Sequence, residues 1–205
     1  MIFKRFKIKE LFSITPSNTI GGNVNDDMII SDVGKVPFIT NTINNNGLGG
    51  YSLYPANNKG NVITLSDTVT SVYETIYYQK NDFIGKSHLQ VLKPLLIEDE
   101  NGIEKELFQL TERIALYIIT SMKKSVKTGE FDYGTKFNRD AIADTIIELP
   151  VENEKSELPD WGYMDSYIKD LIPKYFEVLD AQVEELKRKN ESYKSELTPI
   201  INSLI

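Results

Sequence analysis

Few residues in this chain have the type and spacing for reaction chemistry, and each pattern breaks when followed along the sequence. Gly85-Lys86-Ser87 has the ending of a phosphate-binding loop, but such a loop needs a glycine five residues before Gly85, where Lys80 stands. The single histidine, His88, has no second His or Cys at ligand spacing, so no metal site is expected. No Gly-x-Ser-x-Gly elbow occurs. No Gly-rich cofactor loop follows a strand, and the Asp/Asn-Pro-Pro-Tyr/Phe motif of adenine methyltransferases is missing. Glu98-Asp99-Glu100 reads as solvated loop charge rather than a metal-ion nuclease centre. The expectation is a protein with no catalytic residue and no cofactor. An enzyme with an unfamiliar site would have to rest on His88 and the acidic clusters alone.

The elements that would position these residues fall into two regimes. Val36–Thr40, Asn61–Leu65 and Thr75–Tyr78 are short β-branched or aromatic runs, and His88–Leu92 alternates polar and apolar, so the first ~97 residues read as strands. Asn44-Asn45-Asn46-Gly47, Gly49-Gly50 and Ala56–Gly60 separate them as loops, because Asn and Gly tolerate positive φ. From residue 107 the period changes. Leu107, Leu110, Ile114, Tyr117, Ile118 and Met122 recur at threes and fours, which predicts a helix over 107–126 with one buried face. Lys123, Lys124 and Lys127 at its end suit the helix dipole. A short helix capped by Asn138 and a strand over Thr145–Pro150 follow. Residues 151–160 read as an acidic loop and Trp161–Leu171 as a short helix.

The clearest periodicity lies at the end. Phe176, Val183, Asn190 and Leu197 alternate with Leu179, Leu186, Tyr193 and Ile200 as the a and d positions of a heptad seam. Pro173 suits a first helical turn, and Pro199 should kink or end the helix. The seam fits pairing with a second helix, with Asn190 fixing register; the other reading is one amphipathic helix docked on its own domain. The predicted architecture is α+β: a curved mixed or antiparallel sheet domain with a few helices over 1–170, then a coiled-coil helix over 171–205.

Composition sets limits on partners. The net charge is −7, which argues against a polyanion ligand. Its distribution softens that objection. Residues 1–97 carry nine Lys/Arg against seven Asp/Glu, whereas residues 98–170 carry nine against seventeen. Within the acidic stretch sits a basic run of Lys123, Lys124, Lys127, Lys136 and Arg139. A fold could therefore present one basic and one acidic face. No run of about 18 apolar residues marks a membrane span. No secretion signal is legible, and the absence of cysteine fits a reducing cytoplasm.

One sequence pattern is shared with a known family. Val36–Thr42, Asn44–Gly47, Gly50-Tyr51 and Gly60–Leu65, then Phe83, Ser87-His88 and Val91–Pro94, stand in the order of the target recognition domain of restriction–modification specificity (S) subunits, which this chain resembles. Tyr133-Gly134-Thr135-Lys136-Phe137-Asn138 is similar to the family's aromatic-Gly-x-Lys-aromatic segment, with Ile146–Val151 as its next strand. Pro159-Asp160-Trp161, Met164 and Tyr167–Lys169 resemble the end of the domain. The chain departs from the pattern at Thr68–Glu74, where a Gly-rich turn is usual. It also departs in size, with one domain and one helix where type I subunits have two of each.

The resemblance implies a half-subunit that reads double-stranded DNA for a partner adenine methyltransferase, with a restriction/translocase subunit as a further partner and no membrane. Base edges would meet loop side chains, and backbone contacts would hold register. The candidates are Asn44, Asn45, Asn46 and Tyr51 in one loop, Lys86, Ser87 and His88 in a second, and Tyr133, Thr135, Lys136, Asn138 and Arg139 in a third. The C-terminal helix, through Phe176, Leu179, Val183, Leu186, Asn190, Tyr193 and Leu197, would pair with a second copy and place two readers on a split, symmetric target. The rival reading is a protein–protein adaptor or decoy that keeps the fold without binding DNA.

Overall fold

A computed structural model describes residues 1–22, 24–68, 71–128 and 138–202 of the chain. It divides into two compact units, Met1–Asp165 and Ser166–Ile205. The first is α+β, with strands β1 (Ile2–Lys7), β2 (Phe12–Pro16), β3 (Val36–Ile39), β4 (Leu48–Ser52), β5 (Val62–Ser66), β6 (Tyr77–Gln79), β7 (Ile84–Gly85), β8 (Leu89–Pro94), β9 (Leu96–Glu98), β10 (Glu104–Glu106) and β11 (Ile146–Val151). Its helices are α1 (Ile8–Leu11), α2 (Asp26–Ile29), α3 (Glu112–Thr128) and α4 (Arg139–Asp144). A long helix, α5 (Trp161–Asn202), begins in the first unit and forms the second.

The strands form one antiparallel sheet in the order β2-β8-β5-β6 and a mixed sheet β4-β3-β7, in which β3 runs antiparallel to β4 and parallel to β7. β1 pairs antiparallel with β11 over Ile2↔Val151 to Lys7↔Ile146, so the N-terminal strand is tied to the strand that precedes α5. β9 and β10 form a separate hairpin. The main core joins Ile8, Leu11, Phe12, Ile63, Leu65 and Leu92 to Ile114, Ile118 and Met122 of α3. Phe108 packs edge-on against Phe12 at 5.5 Å and stacks on Trp161 at 3.8 Å, which fixes the start of α5. A smaller cluster of Ile39, Val62, Phe83, Leu89 and Val91 lies between the two larger sheets. Phe38, Ile84 and Ile29 form a third.

Several elements differ from the sequence reading, each for a local reason. Gly49-Gly50 lies inside β4 rather than in a loop, where a Cβ on Gly50 would press into Ile30 at 2.9 Å. Val72–Thr75 is a 3₁₀ turn: the Thr75 hydroxyl donates to the Val72 carbonyl at 2.8 Å and accepts from the Ser66 N–H, which holds Thr75 out of the strand. β8 is buried on both faces instead of alternating, and Gln90 survives there by donating to Asp67 at 2.6 Å. α3 starts at Glu112 because Thr111 caps it, accepting from the Ile114 N–H at 3.2 Å. Leu107 and Leu110 reach the core from the preceding segment. The acidic run at 98–106 is the β9–β10 hairpin, closed by the Asp99 carboxylate on the N–H groups of Asn101 and Ile103. Finally, Trp161–Leu171 and the heptad segment are one helix. Its N-terminus is capped by Asp160, which accepts from Tyr163 N–H at 2.8 Å, so Pro173 and Pro199 both lie inside it rather than at its ends.

Along α5, Phe176, Val183 and Leu186 are 58%, 46% and 65% exposed, Leu179 is half-buried and Asn190 is exposed. The side chains of Tyr193 and Leu197 lie outside the described ones.

Candidate nucleic-acid interface

The first candidate loop is built by backbone conformations that few residue types accept. Asn45, Asn46 and Gly47 all have positive φ, at 51°, 56° and 79°. Two consecutive asparagines suit this, because their short amides tolerate the left-handed region better than other side chains. The turn is closed by Gly47 N–H on the Asn44 carbonyl at 3.0 Å and by Thr40 N–H on the Gly47 carbonyl at 2.7 Å. Its flank is pinned by the Tyr77 hydroxyl donating to the Ile43 carbonyl. Asn44, Asn45 and Asn46 are exposed, and Tyr51 on β4 is 46% exposed, so it is a surface residue rather than core.

The asparagines of this turn are not equivalent. The Asn46 amide donates to the Tyr78 carbonyl at 3.0 Å, and its own carbonyl accepts from the Gln79 amide at 3.1 Å. Asn46 therefore clamps the turn to the end of β6. Asn45 and Tyr51 have no such partner among the described residues. Together with Pro37, Ile39, Leu48, Tyr78, Gln79, Lys80, Asn81 and Glu112 these residues line a half-open cleft of about 300 Å³. Lys80 Nζ lies 3.6 Å from the Glu112 carboxylate on its wall. Sequence reasoning missed Tyr78, Lys80, Asn81 and Glu112. The first three sit where β6 ends in a polar stretch, Gln79-Lys80-Asn81, and that transition was the signal that could have flagged them. Burial raises the Tyr77 and Tyr78 hydroxyl pKa values above the ordinary phenol value, with Glu74 and Glu112 adding respectively.

The second loop adjoins the first through the parallel pairing of Ile39 with Gly85. Lys86 N–H donates to the Ile39 carbonyl at 2.9 Å, and the Asn41 amide donates to the Ser87 carbonyl at 3.1 Å. Gly85 is required by packing: a Cβ there would meet the Ser17 side chain at 2.5 Å. Lys86 Nζ is ion-paired with Asp26 at the start of α2. His88 has φ 65° and ends the turn rather than lying on the strand. Its Nδ1 sits 3.3 Å from Asp67 Oδ1, and its side chain is 61% exposed.

The third group divides. Tyr133, Thr135 and Lys136 lie outside the described residues. Asn138 caps α4 by accepting from Ala141 N–H at 2.9 Å, and Arg139 is exposed on the first turn. α4 packs on α1, where Asp144 takes both Lys7 and Lys9 at 3.0 and 2.9 Å. The structure thus joins the first two candidate loops directly and places Asn138 and Arg139 beside α1, which runs into the opposite end of β2 from the second loop. Of the basic run, Lys123 does not project freely into solvent. Its Nζ lies 5.2 Å from the Tyr77 ring centroid, and burial lowers its pKa below the ordinary lysine value. Among the described residues no group of His, Cys, Asp or Glu is arranged to hold a metal ion, and no helix is long and apolar enough to cross a membrane.

Comparison with known proteins gives a consistent result. The family model for the type I restriction modification DNA specificity domain matches residues 3–192. The specificity subunit S.BcgI of a type II restriction enzyme from Heyndrickxia coagulans is 24% identical over 184 residues, covering 88% of this chain and 47% of that protein. The S subunit of a type I restriction-modification system from M. genitalium superposes with a TM-score of 0.52 at 11% identity, over 87% of this chain and 42% of that one. A chain from a structure of type I R–M complex assembly and conformational transition gives 0.55 at 14% identity, over 91% and 43%. These likenesses show the fold, and this chain spans less than half the length of each relative.

Proposed function

Because the chain belongs to the type I restriction modification DNA specificity domain family, we propose that it reads a duplex DNA sequence and directs a partner adenine methyltransferase to it, with a restriction/translocase subunit as a further partner. The match across residues 3–192 carries this reading. Residues 1–170 are the target recognition domain. The adjoining loops at Asn44–Gly47 and Lys86–His88 supply its groove-facing surface. Their geometry supports this: both turns are held rigidly by main-chain hydrogen bonds, while their polar side chains stay at the surface. A fixed main chain limits how far these side chains must rearrange to meet base edges, which demand defined positions.

The segment 171–205 carries the pairing helix. Phe176, Val183 and Leu186 are large apolar side chains exposed on one helix at heptad spacing, and Asn190 continues the row. Two copies joined there would present two readers to a two-part target. The acidic charge and the neutralised Lys86 favour the second reading, an adaptor that keeps the fold and binds protein alone. Co-purification with the methyltransferase, a mobility-shift titration of the complex, and methylation mapping separate them. A defined methylated motif supports the DNA reader. A stable complex with no DNA affinity at any salt concentration supports the adaptor.

A further inference from the structure

We infer that the cleft between the Asn45–Gly47 turn and the end of β6 is a reading pocket for adenine, with the side chains of Asn45 and Asn81 as the reading amides. This rests on the DNA-recognition reading above and assigns one part of it to named atoms.

The cleft of about 300 Å³ is lined by polar groups of which only some are already engaged. Asn46 spends its amide on the Tyr78 carbonyl, the Gln79 amide donates to the Asn46 carbonyl and to Thr64 Oγ1, and the Tyr78 hydroxyl donates to Asn61. These are struts. Asn45, Asn81 and the Tyr51 hydroxyl carry no hydrogen bond from their side chains among the described residues. They line the same cleft. Asn45 is moreover fixed by its left-handed backbone, φ 51°, between two hydrogen-bonded neighbours. Its main chain is therefore set before a ligand arrives, and only the side-chain torsions remain to be ordered.

Charge identifies the kind of ligand. Lys80 and Glu112 stand on the wall 3.6 Å apart and cancel, so the cleft presents no net positive charge to a phosphate. Neutral amides, each presenting an N–H donor beside its carbonyl acceptor, match an uncharged edge instead, and because one amide takes up both polar groups of an adenine's major-groove edge, Asn45 and Asn81 each read an adenine of their own. Among bases in the major groove, adenine offers the complementary acceptor N7 and donor N6 to an asparagine amide, whereas guanine offers two acceptors and is better met by Arg or Lys. The exposed Tyr51 ring adds a flat apolar surface at the rim.

The test uses the complex of the full chain with its methyltransferase. Methylation mapping of wild type defines the motif, and duplexes carrying each single base-pair replacement then measure discrimination. Asn45→Ala and Asn81→Ala are each expected to lose discrimination at one adenine-bearing position on the order of ten- to a hundred-fold, leaving the other positions intact. Asn45→Asp, which keeps the shape and removes the donor, should lose it at the same position as Asn45→Ala. Thermal melting of the variants confirms that the fold is kept. If wild type methylates a motif and both alanine variants keep full discrimination at every position, the pocket assignment is overturned while DNA recognition stands. If discrimination is lost at a position without adenine, the assignment fails too. If wild type recognises no duplex, the DNA reading itself falls.

Discussion

Lys86 offers the sharpest test of where phosphates are held. Its backbone is fixed twice, by its N–H on the Ile39 carbonyl and by the Ser17 hydroxyl on its own carbonyl, both at 2.9 Å. Only the side chain is free to choose between Asp26 and a phosphate. The pair is about two-fifths exposed on both sides, so it is worth roughly 0.2–1 kcal/mol after solvent screening. A phosphate that takes Lys86 must offset that amount. Asp26→Asn removes the competitor and one like charge from the phosphate. Affinity of the methyltransferase complex for duplex should rise by about 1.4- to 5-fold at low salt. Lys86→Ala removes the contact, so the slope of log K against log salt should flatten by about 0.9. Between 50 and 200 mM salt one such contact accounts for roughly a 3.5-fold change. Fluorescence anisotropy of a labelled duplex, titrated at four salt concentrations, reads both quantities. An unchanged slope for Lys86→Ala refutes the phosphate role. A loss of affinity in Asp26→Asn at unchanged slope shows instead that the pair holds the loop in shape.

The remaining expectations test the scaffold. Asn46→Ala breaks the tie to Tyr78 and places alanine at φ 56°, so stability should fall by about 1–2 kcal/mol in chemical denaturation, and Asn46→Gly should recover part of it. Ile118→Ala empties a fully buried position of α3 and should cost about 2–5 kcal/mol, well beyond any loop change. If two copies pair through α5 as proposed, Val183→Lys with Leu186→Lys should turn that dimer into a monomer by sedimentation while leaving the melting of residues 1–165 in place, and a wild-type chain that sediments as a monomer, or a variant that stays a dimer, removes the pairing helix from the proposal. Asp82 is held below the ordinary carboxylate value of 3.8 first by Gly60 N–H and then by Lys59, and Asp144 by Lys9 and Lys7. Their folded pKa values are depressed, so they stabilise the fold above pH 3.8 and the benefit is lost as pH falls through their folded values. Melting temperature scanned from pH 5 down to 2 should show a smaller acid-induced drop in Asp82→Asn than in wild type.

The sequence was most legible where one local force acts alone. The Asn44–Gly47 turn could be read because Asn and Gly are the residues that accept positive φ, and the Asn138 cap because an amide before a helix has one obvious donor to meet. α3 was visible through its buried face at Ile114, Ile118 and Met122. What escaped depends on contacts distant in sequence. The parallel pairing of Ile39 with Gly85 brings two candidate loops together across 45 intervening residues, and no local pattern announces it. Gln90 looked like a solvent-facing strand position because its partner, Asp67, comes from another part of the chain. Pro173 misled for the opposite reason. Local chemistry favours a helix start there, but the stacking of Trp161 on Phe108 and the Asp160 cap had already begun the helix three turns earlier. The cleft was half read: its Asn45, Asn46 and Tyr51 wall was named, while Tyr78, Lys80, Asn81 and Glu112 entered only through the packing of β6 and α3 beside the turn.

If this acidic chain reads DNA as proposed, it has to separate reading from holding. Many of the described cations near the candidate loops are already paired, Lys86 with Asp26, Lys80 with Glu112 and Lys59 with Asp82, and Lys123 is stacked over Tyr77. Such pairs lower non-specific attraction, because each phosphate contact must first displace a carboxylate. They leave neutral amides as the groups with unspent hydrogen bonds. A surface of that composition discriminates more than it attracts: amides gain only where a base edge is complementary, whereas free lysines gain on any phosphate. On the proposed function, affinity would then come from a partner subunit that contributes its own cations or from a second reader joined through α5. The separation is measurable. The isolated chain should bind duplex weakly and with a modest salt dependence, and adding the methyltransferase should make binding much tighter. Tight, steeply salt-dependent binding by the chain alone would mean that the carboxylate pairs do not hold their lysines in solution.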